Sequence, residues 1–335
     1  MSTKMTHWER VRAALRGEAV DRPPVSLWQH WPVDDETPAG LAAVMLRWQK
    51  EFDFDFVKFM PTGTYGIEDW GAETLYKPTP NGTRTIIKHG VTSAEQWEQL
   101  WQLEVTKGYL GIQIEALRLT ADALNNDVPI LQTVFSPLTT ARKLAGDRVL
   151  SDMRQHPEKL KAGLQVIAET TARFAQESLR AGAHGIFFAT QNASYRVMNE
   201  AEYLEFGQHF DMIVFDAIKD ESQFSVAHVH GEATMFDLMA AYPVHAMNWH
   251  DRTAGPSLAE ARKHFSGALI GGVDEWHTLL NGPVDAIRDE IHQALDQTGG
   301  RGFMVGPGCV LPIRIPIRHL HAARAAVDSW EEECL

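Results

Sequence analysis

The chain has 335 residues, 44% of them hydrophobic, and a formal charge of -13. That acidity excludes the clustered Lys and Arg of a nucleic-acid footprint and argues against an anionic membrane surface. No run of about 18 apolar residues offers a transmembrane helix, the N-terminal stretch lacks the apolar segment of a signal peptide, and two cysteines, Cys309 and Cys334, cannot build a disulfide framework; a reducing cytoplasm is the expected location.

An amphipathic stretch over 6–16 predicts a helix ahead of any strand, set against the bottom of the fold. Short apolar runs follow at 25–30, 54–60, 129–135, 184–190, 224–230, 244–249, 268–273 and 302–306. Between the second and third lies an insertion, about 71–107, in which Asn81-Gly82 sits between alternating runs, a β-hairpin signal. It would form a lid or rim, or a plain surface hairpin. Ser136 and Thr139 flank Pro137 as at a capped helix start. Amphipathic segments at 158–180 and 201–219 read as helices. Near-continuous apolar strands alternating with helices predict a parallel sheet covered by helices. Eight such units predict closure into a (β/α)8 TIM barrel of class α/β, one domain over 1–335. The acidic tail, 331–335, with Cys334, reads as surface.

A barrel of this kind keeps its active site at the C-terminal strand ends. His228 and His230 are two apart, so both point to one face of their strand. With Cys309 in the turn Gly306-Pro307-Gly308-Cys309 they offer an N, N, S set that suits zinc, the fourth position free or filled by water or a carboxylate. The alternative is a hydrogen-bonded histidine pair and an inert thiol. His250, Asp251 and Asp274 are candidates for a fourth ligand or an outer partner, or are ordinary loop caps. His30, Tyr65, Gln191, Asn192, Trp249 and Asp274 are candidates for substrate contact. Trp28, Trp31, Tyr65 and Trp70 either wall an apolar pocket or pack loops. Gly306 and Gly308 allow close backbone approach to a ligand, or simply a tight turn.

Several segments carry a resemblance. They are Arg16-Gly17-Glu18 with Asp21-Arg22-Pro23-Pro24-Val25, Phe135-Ser136-Pro137-Leu138-Thr139, Gly182-Ala183-His184-Gly185-Ile186, Asn248-Trp249, Gly271-Gly272-Val273-Asp274, and Gly306-Pro307-Gly308-Cys309 with Pro312 and Pro316. In order and spacing they resemble the uroporphyrinogen decarboxylase superfamily over nearly the whole chain, which independently implies the (β/α)8 fold. True decarboxylases of that superfamily carry an Arg-rich loop after the first strand and an Asp after the second. Here Trp28-Gln29-His30-Trp31-Pro32-Val33 has no Arg and Met60-Pro61-Thr62-Gly63-Thr64 has no Asp.

The chain looks closer to the methylcobalamin:coenzyme M methyltransferase branch, whose zinc is held by His-x-Cys on the fifth strand and a Cys after the eighth. That resemblance implies His228, His230 and Cys309 as metal ligands and catalytic residues, with His230 standing where the family has Cys. It implies zinc as cofactor and a small thiol or similar nucleophile as acceptor. It also implies methylcobalamin or another corrinoid as donor, carried by a partner protein. Imidazole in place of thiolate leaves the site one negative charge poorer, so a bound thiolate is less nucleophilic. Decarboxylase relatives imply a homodimer. The alternatives are a metal-free carboxy-lyase acting on a porphyrinogen, and a catalytically inactive corrinoid- or tetrapyrrole-binding protein.

Overall fold

The computed structural model describes residues 4–334, with side chains up to residue 330, so the expectation for Cys334 lies outside the described side chains. Chain order gives β1 (Val57–Phe59), β2 (Glu73–Leu75), β3 (Thr85–Lys88), β4 (Ile130–Phe135), β5 (Gly185–Thr190), β6 (Val226–Val229), β7 (Ala246–Trp249), β8 (Ala268–Val273) and β9 (Phe303–Pro307). Seven of them form a curled sheet in the order β1-β4-β5-β6-β7-β8-β9, every neighbouring pair parallel. Helices run between most of them, including Pro137–Ala145, Pro157–Arg180 and Val284–Thr298. This is an α/β barrel of the TIM type. Among the described residues, no helix is long and apolar enough to cross a membrane.

The first expected strand, 25–30, is not a regular one. It closes the barrel as a stave held by single bridges, Val25 to Val305 and Gln29 to Leu311. On its other edge Asp55 N donates to Val25 O at 2.8 Å. Pro23 and Pro24 supply no N–H, the N–H of Val25 goes to the Asp55 carboxylate at 2.9 Å, and Ser26 Oγ donates to Phe56 O at 2.7 Å. Side-chain partners thus serve part of the edge facing β1, while on the β9 side Ser26 N bonds Val305 O and Val305 N bonds Pro24 O.

Alternation sorts the strand residues into two cores. Phe187, Val226, Ala246, Ala268, Ile270 and Met304 point to the barrel axis and pack with Trp28, Phe56 and Leu131. Their neighbours Phe188, Ala227, Met247, Leu269, Phe303 and Val305 point outward into the layer beneath the helices. His228 shares the inward parity of Val226, and Asn248 that of Ala246. Trp249 shares the outward parity of Met247.

The N-terminal helix, His7–Leu15, begins with a capping box on Thr6 and Glu9. Its Val11 and Ala14 join the axial core, so it closes the N-terminal end of the barrel. Buried Arg10 and Arg22 both bond Asp55, at 2.6 Å each. Ser136 caps the helix Pro137–Ala145, its Oγ accepting from Thr139 N.

In the insertion, β2 and β3 pair antiparallel. The reversal is not a tight turn at Asn81-Gly82; residues 76–84 connect the strands, with a turn closed by Gly82 N to Thr79 O at 3.1 Å. That connection leans over the C-terminal mouth, where Pro80 O accepts from Ile313 N at 2.8 Å. The segment expected as one helix over 201–219 is a short helix Glu200–Tyr203, a widened turn Leu204–Gln208, and a helix His209–Ile218.

Candidate metal centre and its cleft

β6 ends with His228 and then His230, both facing the axis. The turn after β9 brings Cys309 against them. Cys309 Sγ lies 3.7 Å from His228 Nε2 and 3.5 Å from His230 Nδ1. The three ligand atoms all lie within 4.8 Å of one another, and among the described residues no other such group of three occurs. A tetrahedral zinc with Zn–S of about 2.3 Å and Zn–N of about 2.0 Å sets S···N edges of about 3.5 Å. The two S···N edges therefore match a zinc ion without movement of the sulfur.

Asn248 fixes the sense of His228. The Asn248 amide nitrogen donates to Ile270 O and Pro307 O, both at 3.0 Å. Its oxygen must then face His228 Nδ1, 2.7 Å away. Nδ1 carries the proton, and the lone pair of Nε2 is left pointing at Cys309. Motif reading took Asn248 only as part of the family resemblance; its inward parity was the available signal.

Burial pushes the Cys309 thiol up. The charge and hydrogen bonding of His228, with hydrogen bonds from His230 and His250, outweigh it and hold the thiol well below its usual range. Burial pushes His228 down. A thiolate and an imidazolium thus support each other within the trio, with burial of His228 opposing, and a metal ion would take over the positive role, binding thiolate and neutral imidazole.

His250 follows β7 with inward parity. Its Nε2 lies 3.3 Å from His230 Nδ1, and its Nδ1 lies 3.5 Å from Glu275 Oε1. Glu275 Oε2 accepts from Gly308 N at 3.1 Å, which ties the Cys309 turn to the same carboxylate. The closeness of Gly308 serves this packing: an added Cβ would sit 3.0 Å from His250 Cα.

The trio lines a cleft of about 440 Å³ whose walls include Trp28, His30, Lys58, Gln191 and Trp276. Of the expected substrate contacts, His30 and Gln191 are at this wall. Burial, with help from Lys58 and Lys143, pushes His30 down to about 4.

The remaining candidates lie elsewhere. Tyr65 is buried behind Phe135, its hydroxyl donating to Thr133 O at 2.7 Å. Asn192 is buried and accepts from Arg142 at 3.1 Å. Trp249 points outward, packs on Phe236 and donates to Pro256 O. Asp274 is spent on its own loop, accepting from Trp276 N and His277 N. Asp251 is buried and accepts from Gly272 N at 3.1 Å. Of the four aromatics considered as a pocket wall, only Trp28 lines the cleft.

Motif reading passed over two lysines and an arginine in the cleft. Lys58 extends inward from β1, with Nζ 4.5 Å from the Phe187 ring centroid and 2.6 Å from Met60 Sδ. Burial pulls it down to about 7, with Cys309 opposing. Lys143 donates to Gly63 O at 2.9 Å, and burial pulls it down to about 8. Arg84 reaches the cleft from the insertion and pairs with Glu36 at 3.0 Å. A lysine inside an apolar run, at the parity of the axial residues, was the signal for Lys58.

Comparison with known proteins agrees with this architecture. A methyltransferase from Methanosarcina mazei superposes with a TM-score of 0.85 at 23% identity, covering 98% of this chain and 100% of that one. The methylcobamide:CoM methyltransferase MtbA of Methanosarcina acetivorans is 22% identical, over 95% of this chain and 96% of its own length. The corresponding enzyme MtaA of Methanosarcina barkeri is 27% identical, over 96% and 97%. The model of the uroporphyrinogen decarboxylase (URO-D) family matches residues 6–330. With that match spanning the barrel from its N-terminal helix to its last, the chain belongs to the uroporphyrinogen decarboxylase family.

Proposed function

We propose that the protein is a zinc-dependent, methyltransferase-like enzyme that activates a small thiol or similar nucleophile for methyl transfer from a corrinoid. The carrying observation is the convergence of His228, His230 and Cys309 within 4.8 Å at the open end of the barrel. The names of the relatives, methylcobamide:CoM methyltransferases, support the donor class. Zinc held by these three residues would supply Lewis acidity, favouring a thiolate at neutral pH. Asn248 keeps His228 in the ligating tautomer, and the Glu275 carboxylate holds the turn that carries Cys309. His30 and Gln191 would contact the acceptor, and the corrinoid, carried by a partner protein in a reducing cytoplasm, would dock over the mouth. The relevant assay follows demethylation of methylcobalamin in the visible spectrum, with 2-mercaptoethanol as acceptor. Thiol-dependent demethylation is expected, with its loss in Cys309→Ala; demethylation that is absent, or unchanged in the variant, overturns the reading.

One observation favours a second reading, the decarboxylation of a carboxylated substrate. Lys143 and Arg84 put basic groups in the cleft, with Lys58 ready to charge beside a carboxylate, although the loop after the first stave has no Arg. Release of carbon dioxide from uroporphyrinogen by metal-free protein would establish it; the methyltransferase reading expects none.

A further inference from the structure

A thiol that binds a metal as thiolate must give up a proton, and here it does so inside a buried cleft. Lys58 stands in that cleft as an amine caged by Trp28, Phe187 and Met60. Among the described residues, no carboxylate lies within 4.0 Å of its nitrogen. A cation buried without an anion is costly, so the cage favours the neutral amine. The groups that share the cleft with it are His30 from the first stave, Lys143 from the helix after β4, Arg84 from the insertion, and His228, His230 and Cys309. The Cys309 thiolate is the group among them that favours a charge on Lys58, and a divalent ion bound to that sulfur offsets it.

We propose that Lys58 receives the proton lost by a thiol when it binds at the His228–His230–Cys309 cluster. This rests on the proposed function. In the step the S–H bond breaks, its electron pair stays on sulfur as the thiolate, and an N–H bond forms at Lys58 Nζ. Nothing else is consumed or released. Charge explains the direction. A divalent ion with one thiolate and two neutral imidazoles has a net charge of +1, and an incoming thiolate cancels it. The field that kept Lys58 neutral is thereby removed as the proton becomes available. His230 matters here. A second cysteine in its place would already have neutralised the ion, and Lys58 would be easier to protonate before any substrate arrived.

Burial pulls Lys58 down to about 7 against the opposing Cys309 thiolate, and an ion on that sulfur removes the opposition, so the loaded protein holds a neutral amine at about pH 8. The test uses the cobalt-substituted protein with 2-mercaptoethanol, reading thiolate ligation from the sulfur-to-cobalt charge-transfer band and proton release from a pH indicator. For the wild type, less than about half a proton per bound thiol is expected at about pH 8, and more at about pH 6, where Lys58 begins to take its proton before thiol binds. Lys58→Met and Lys58→Arg, one without an amine and one with a permanently charged group, should both release about one proton at either pH. Wild-type release that stays near one proton at about pH 8 overturns the proposal, and needs no variant to fold. If thiol adds no charge-transfer band, thiol ligation itself is wrong and both readings fall. A band with full proton release sinks only the role of Lys58.

Discussion

His228 presents Nε2 to Cys309 because Asn248 has no freedom to do anything else with its oxygen. Both hydrogens of its amide are held by the carbonyls of Ile270 and Pro307. Asn248→Leu keeps the size and removes the acceptor, so the imidazole is free to turn. Metal affinity should fall about 10–100-fold, the usual cost of losing such a partner, as read by competition with a chromophoric chelator. Unchanged affinity would show that the tautomer is set some other way. Gly308→Ala probes the closing turn. Its Cβ would sit 3.0 Å from His250 Cα and 3.3 Å from Glu275 Oε2, and backbone yields less readily than a side chain tip. Cys309 should shift and metal affinity fall, while the melting temperature changes little.

The residues that sequence could locate were those whose type names their chemistry. His228, His230 and Cys309 were placed by strand parity and by the resemblance. Parity, applied one residue further, would have exchanged Trp249 for Asn248, since Trp249 shares the outward face of Met247. Tyr65 and Asp274 sit at strand ends as expected, but their polar atoms are taken by nearby backbone, and Asn192 spends its amide oxygen on Arg142. Nothing in residue type distinguishes a polar group aimed at a cleft from one that closes a loop.

Among the elements, the first stave shows where an apolar run fails to become a regular strand. Pro23 and Pro24 remove donors, and Asp55 takes the N–H that the ladder needed. The segment Arg16 to Val25, read as a family opening, therefore works mechanically: Arg22 joins Arg10 on Asp55 and pins helix, stave and β1 together. Against burial, the hydrogen bond with His7 and the charges of Arg22 and Arg10 hold the Asp55 carboxyl well below the usual range. Asp55→Asn takes away the buried carboxylate that Arg10 and Arg22 share, leaving Arg10 on Asp21 and Arg22 on the exposed Asp328. A loss of about 3–5 kcal/mol is expected, measured by urea unfolding with the metal centre intact. The helix 209–218 carries an opposite case. Burial pushes Asp211 up to about 7, from 3.8, although Tyr203 and Tyr242 donate to it. For an acid with a raised folded-state pKa, stability is full below the unfolded value and is lost as pH rises towards the folded one. Stability should therefore decline between about pH 4 and pH 7, and Asp211→Asn should make that decline shallower by up to one proton. Buried Asp251, also pushed up to about 7, accounts for slope that remains. An identical slope in the variant would contradict the assignment.

For the molecule as a whole, the α/β barrel was legible because its signal is distributed: alternating apolar runs and amphipathic segments repeat along the chain. The cleft was less legible because it is assembled from staves far apart in sequence, with Lys58, Lys143 and Arg84 contributed by a strand, a helix and an insertion. Elemental analysis of protein purified without chelators tests the central claim most directly. The account expects about one zinc per chain in the wild type and its loss in His228→Ala and Cys309→Ala variants that keep their fold. Wild-type protein without zinc, or variants that retain it in full, would contradict the account.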